Sequence, residues 1–163
     1  MIFIQHIAPN LGYRYFRLYI DKVQTSLSSI LALYTWDLYD GTTWRAVNMT
    51  SNTAPSPLVA SMINSSADAW KLHDGNNATQ AVGSNPYSSQ VKSPPDWHQL
   101  DVGSGNEFLP TKIRIAWYNT GGYDLTGEDF NLKGSNDGSS WTLIKSWTGQ
   151  ASQTHQTPVE YTI

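Results

Sequence analysis

Tyr13-Arg14-Tyr15-Phe16-Arg17-Leu18-Tyr19-Ile20 alternates between two kinds of side chain. Tyr13, Tyr15, Arg17 and Tyr19 fall on one face, and Arg14, Phe16, Leu18 and Ile20 on the other. A period of two is the repeat of a strand, not of a helix. The stretch therefore predicts a paired strand that buries Phe16, Leu18 and Ile20.

The residues around it repeat the pattern. Residues 30–39 are apolar and rich in β formers, and Asp40-Gly41 ends them with a turn signal. A short strand over 43–48 follows. Residues 49–68 are rich in Ser, Asn, Thr and Pro and read as loop, with a short strand near Leu58–Met62. One helical turn fits 68–73. From Asp74 to Asp96 periodicity fades, and Gly83, Pro86, Pro94 and Pro95 mark a long loop. A loop of that length inside a compact domain is usually functional or mobile.

The second half is cleaner. Trp97–Val102, Lys112–Tyr118, Phe130–Gly134, Trp141–Trp147 and Val159–Ile163 read as strands, with Ser135-Asn136-Asp137-Gly138 as a hairpin turn. Short strands between turn signals, with almost no helix, predict an all-β antiparallel sandwich. Neither an internal repeat nor a linker divides residues 1–163, so one domain is expected.

Composition narrows the function. The 163 residues contain no Cys, which removes disulfide and thiolate-metal chemistry. Net charge is −3 and no run of Lys or Arg occurs, so neither a nucleic acid nor an anionic membrane is an expected partner. Residues 1–20 read as neither a signal peptide nor a membrane span, because Arg14 and Arg17 interrupt the apolar residues. Seven Trp and nine Tyr suit a sandwich core and equally suit rings that stack on sugars.

Four segments carry a family resemblance. They are Asp74-Gly75-Asn76-Asn77-Ala78-Thr79, Asp96-Trp97-His98-Gln99-Leu100-Asp101-Val102-Gly103, Phe130 to Gly138 with its Gly-Ser-Asn-Asp-Gly hairpin, and Trp141. In this order they resemble the discoidin (coagulation factor V/VIII type C), galactose-binding-like family. The strand pair 13–18 and 30–39 looks like the pair that normally ends such a domain. Here it comes first, so the chain resembles a circular permutant of the kind seen in phage structural proteins. Permutation is tolerated when termini lie close together at the surface.

The resemblance implies an eight-strand jelly roll that binds rather than catalyses. It implies a Ca²⁺ at Asp74, Asn76 and Thr79, backed in the family by a Glu where Thr35 stands, with Asp37 one residue pair further along. The other reading of that loop is a turn held by Asx hydrogen bonds. It also implies that segments 81–96 and 118–129 lie near the ligand. Tyr87 and Tyr123 there offer rings, and Asn85, Asn119 and Asp124 offer hydrogen bonds to hydroxyls. The family's sugar-binding Trp and Arg are not matched: Ala81 stands at the first place, and Tyr118-Asn119-Thr120-Gly121 matches only the Tyr of the second motif.

Catalysis has little support. His6, His73, His98 and His155 show no metal or triad spacing, and Glu107, Asp124, Glu128 and Asp129 read as loop carboxylates before they read as a glycosidase pair. Three Asn-x-Ser/Thr sequons, at Asn48, Asn64 and Asn77, carry no weight in so Asn-rich a chain. The expectation is a glycan-binding or attachment module of a phage tail or capsid. The alternative is a virion decoration or assembly protein with no small ligand. Partners would be a cell-surface glycan or virion proteins, with a homo-oligomer left open. The place of action would be a virion or the extracellular space, reached by lysis.

Overall fold

The computed structural model describes residues 12–24, 33–45, 48–62, 69–76 and 96–163. The strands are β1 (Tyr15–Val23), β2 (Leu33–Tyr39), β3 (Trp44–Arg45), β4 (Val59–Met62), β5 (Asp96–Asp101) and β6 (Lys112–Trp117). They continue as β7 (Asn119–Thr120), β8 (Tyr123–Asp124), β9 (Gly127–Ser135), β10 (Thr142–Trp147) and β11 (Pro158–Thr162). A 3₁₀ turn at Ala69–His73 is the one helical element among the described residues.

The strands form an antiparallel sandwich. One sheet has five strands in the order β10-β9-β1-β5-β4, and the other has four in the order β11-β6-β2-β3. The octet read first is the middle strand of the larger sheet. β1 pairs with β5 on one side, Leu18 opposite His98, and with β9 on the other, Leu18 opposite Leu132. Phe16, Leu18 and Ile20 are fully buried, as the alternation requires.

Inward residues of the two sheets meet in one core. Phe16, Leu18, Ile20, Leu100, Phe130 and Leu132 come from the larger sheet, and Trp36, Leu38, Ile113, Ile115 and Trp117 from the smaller. The Trp117 ring lies 5.4 Å from that of Phe130, and Tyr161 on β11 stands edge-on to Phe130 at 5.1 Å. The Trp117 indole N–H donates to the Tyr161 hydroxyl at 3.1 Å, so this buried ring has its polar partner.

Sequence and structure differ at several places. β3 covers only Trp44–Arg45, with 46–47 outside the described residues. β9 begins at Gly127, three residues before the alternation suggests, because Val23 of β1 extends to pair with it. Residues 119–124, expected as loop, form the small β7–β8 hairpin, with Gly121 and Gly122 at positive φ in its turn. The Ser135–Gly138 turn joins β9 to β10 as expected, and the Asp137 carboxylate accepts from the Ser139 and Ser140 N–H groups.

Candidate functional site

The expected ligand loop lies where β6 and β2 reach one end of the sandwich. Its polar groups are spent on its own structure. The Asn119 Nδ2 donates to Ser152 Oγ at 3.0 Å and to the Gln153 carbonyl at 2.8 Å. Asp124 Oδ1 accepts from the Thr126 N–H at 3.0 Å. Tyr123 is half-buried and packs on the core. Beside them Tyr34 and Tyr118 stack at 5.9 Å, and His155 stands edge-on to both. His155 Nδ1 accepts from the Asn119 N–H at 3.1 Å, which puts the ring proton on Nε2, 3.4 Å from the Tyr34 hydroxyl. Asn85 and Tyr87 lie outside the described residues.

The expected cation loop is only partly described. Asp74 Oδ1 accepts from the Asn76 N–H at 2.7 Å, which is an Asx turn. Thr79 lies outside the described residues. Thr35 is buried, with its hydroxyl lacking a hydrogen bond. Asp37 is tied to Arg114, whose Nε donates to its Oδ2 at 2.8 Å and whose Nη2 forms an ion pair with the same oxygen at 2.7 Å. Ca²⁺ requires six to eight oxygens. Among the described residues no group of three or more His, Cys, Asp or Glu is placed to hold a metal.

The carboxylates considered for catalysis each have a partner of their own. Glu107 follows β5 at the other end of the sandwich and accepts from the Gly105 N–H. Glu128 is bound to Lys22, and Asp129 accepts from the Gly149 N–H.

Two arrangements escaped the sequence. The first is on the outer face of the larger sheet. Arg17 lies between Trp97 and Trp141, its guanidinium 3.9 and 4.1 Å from the two rings. Its Nε donates to Gln99 Oε1 at 2.8 Å and its Nη1 to the Tyr19 hydroxyl at 3.2 Å. Lys133 sits over Tyr19 at 4.3 Å. Both faces of the cation are covered by rings, so each Trp presents one face fewer to a ligand. Period two placed Arg17 on this face, but nothing local showed that Trp97 and Trp141 flank it.

The second arrangement is a cleft at the end opposite the β7–β8 hairpin. Arg45, Pro57, Leu58, Val102 and Asn106 line it, and it holds about 110 Å³. Arg45 leaves β3 and donates through Nε to Asp40 Oδ2 at 2.6 Å. Among the described residues, neither its Nη nitrogens nor the Asn106 carboxamide has a hydrogen-bond partner. The walls are set by backbone. The Gly103 N–H donates to Asp101 Oδ1 at 2.8 Å, and the Asn106 N–H donates to the Gly103 carbonyl at 3.3 Å. Gly103 has φ +82°, and a Cβ there would stand 2.4 Å from the Pro57 Cβ. The Gly that closes the Trp97–Gly103 motif thus lets the Pro57 wall close in. That Gly was the only signal of the cleft in the sequence.

Asp40 is fixed as a carboxylate. Hydrogen bonds from Thr43 and Thr42, and then from Arg45, hold its pKa far below the usual carboxylate range. Glu107, beside Asn106, is also held below its ordinary value, chiefly by backbone N–H groups at Glu107 itself and Gly105.

No family model, curated protein or solved structure matches the chain.

Proposed function

We propose that the chain is a non-catalytic carbohydrate-binding or attachment module. In this reading it is a galactose-binding-like jelly roll of the discoidin kind, permuted, in a phage tail or capsid. The cleft carries the reading. It is concave, has an aliphatic wall of Pro57, Leu58 and Val102, and presents the Arg45 guanidinium and the Asn106 carboxamide with donors and an acceptor unspent. A few convergent polar groups over an apolar wall are what a small hydroxylated ligand needs for orientation and contact. Among the described residues that line it, the groups on offer are hydrogen-bonding ones, which suit binding.

A glycan array on the purified chain, run beside Asn106→Ala, tests this. Asn106 is exposed, so its loss should leave the fold intact. Hits lost in the variant support the reading, and a blank array for the parent protein overturns it.

The second reading, a virion decoration or assembly protein without a small ligand, is favoured by the internal use of Asn119 and Asp124. It predicts a blank array together with co-assembly on tail or capsid proteins.

A further inference from the structure

The cleft's polar groups do not stand alone. Arg45 is paired with Asp40, which stays ionised, and Glu107 adjoins Asn106. The next ion pair along is Arg14 with Asp101, its Nε 2.8 Å from Oδ1, and both residues act electrostatically on Glu107. Arg14, Arg45 and Lys112 therefore stand with Asp40, Asp101, Glu107, Asp137 and Glu160 at this end of the sandwich, which leaves the carboxylates in excess. The free Nη donors of Arg45 belong to a cation that is already neutralised. An acidic ligand reaching them would meet a surplus of negative charge. A neutral hydroxyl would accept the same hydrogen bonds without that repulsion, and the Asn106 carboxamide can both donate to and accept from such a group.

We infer that the cleft selects a neutral sugar ring over an acidic one. Its C–H face lies on Pro57, Leu58 and Val102, and adjacent hydroxyls reach the Arg45 Nη nitrogens and Asn106. This rests on the carbohydrate-binding reading and narrows it to a ligand class. It also places the contact at the end away from Asn119, Tyr123 and Asp124.

The test is a titration of the ¹⁵N-labelled full chain, followed by the signals of the Asn106 side-chain amide, the Arg45 Nε–H and the Gly103 amide. The probes are galactose, mannose and N-acetylglucosamine, set against glucuronate and N-acetylneuraminate. Saturable shifts at these groups are expected with at least one neutral sugar, and their affinity should hardly change up to about 0.5 M salt. The acidic sugars should bind at least about fivefold more weakly, the effect of one uncompensated charge a few ångströms away in a water-like dielectric. Glu107→Gln should narrow that gap. Acidic sugars that bind as tightly as neutral ones, or tighter with loss in salt, would overturn the selection and leave a sugar-binding module. Neutral sugars that shift only residues 118–124 would overturn the site and again leave the module. No saturable shift with any probe would overturn both.

Discussion

Asp37 and Arg114 face each other across the β2–β6 register, where the guanidinium Nε donates to Asp37 Oδ2 at 2.8 Å and Nη2 lies 2.7 Å from the same oxygen. Asp37 is almost wholly buried, while the Arg114 side chain is 29% exposed and lies against the Trp44 ring at 4.4 Å. The other oxygen, Oδ1, has no hydrogen bond and lies 3.8 Å from His73 Nδ1. Removing the cation alone strands a buried carboxylate. Arg114→Ala should cost about 2–3 kcal/mol, below the value for a fully dry pair because water reaches Arg114. Replacing both as Asp37→Leu with Arg114→Met should recover much of the loss. Urea unfolding of the three variants measures this, and a double variant no better than the single one would show that the pair itself is favourable.

His98 gives the fold an acid limit. It points into the core from β5, and neither ring nitrogen has a hydrogen-bond partner. Burial, and secondarily the nearby His73, pushes its pKa down to about 3 from 6.5. The folded state thus keeps the ring neutral where the unfolded chain takes up a proton. Stability should be at its full value above about pH 6.5 and fall as pH drops toward 3, with a limiting slope of about 1.4 kcal/mol per pH unit. Asp40 and Asp137 have depressed pKa values in the folded state. The stability they contribute starts to fall only as the unfolded carboxylates take up protons at about pH 4, so they steepen the acid end of the profile but not its part between about pH 6 and 5. His98→Leu should keep or raise stability at pH 7 and flatten the profile between pH 6 and 4. A variant profile parallel to that of the parent would assign the acid sensitivity to another group.

The Trp97–Arg17–Trp141 stack should act as a clamp across the outer face. Arg17→Ala should cost about 1–3 kcal/mol, since two cation–π contacts and two hydrogen bonds go together. Arg17→Lys keeps the charge but not the planar fork, so it should recover little. Equilibrium unfolding monitored by tryptophan fluorescence separates the two. Full recovery by Lys would mean that charge, not stacking, holds the face.

The sequence displayed what repeats locally and hid what depends on pairing. β1 was legible because eight alternating residues fix both its type and its buried face. The 135–138 turn was legible because Asp137 closes it through its own backbone neighbours. The β7–β8 hairpin was not, since two-residue strands carry no periodicity and only Gly121-Gly122 marks the bend. Asn119 and Asp124 looked like ligand groups because their types are right. Their partners, Ser152, Gln153 and Thr126, come from other strands' ends or from a turn that reading by segment could not close. The cleft was hidden for the same reason, as Arg45 comes from the two-residue strand β3 and Leu58 and Asn106 from two separate connections.

The last prediction separates backbone strain from packing at the cleft wall. Gly103 and Gly41 both have positive φ, +82° and +99°, so Ala at either position meets the same left-handed penalty of about 1–2 kcal/mol. They differ in surroundings. A Cβ on Gly41 meets nothing within 4 Å, whereas one on Gly103 meets the Pro57 side chain at 2.4 and 2.5 Å. Gly103→Ala must therefore also push the 55–58 segment outward, where the Leu58 N–H is bonded to the Pro55 carbonyl and Leu58 lines the cleft. Gly103→Ala should be less stable than Gly41→Ala by about a further 1–3 kcal/mol, the usual cost of overpacking. It should also lose neutral-sugar binding, while Gly41→Ala keeps it. Thermal melts and the sugar titration on both variants give the comparison. Equal losses of stability would show that Pro57 yields freely, and the wall would then be no fixed part of the site.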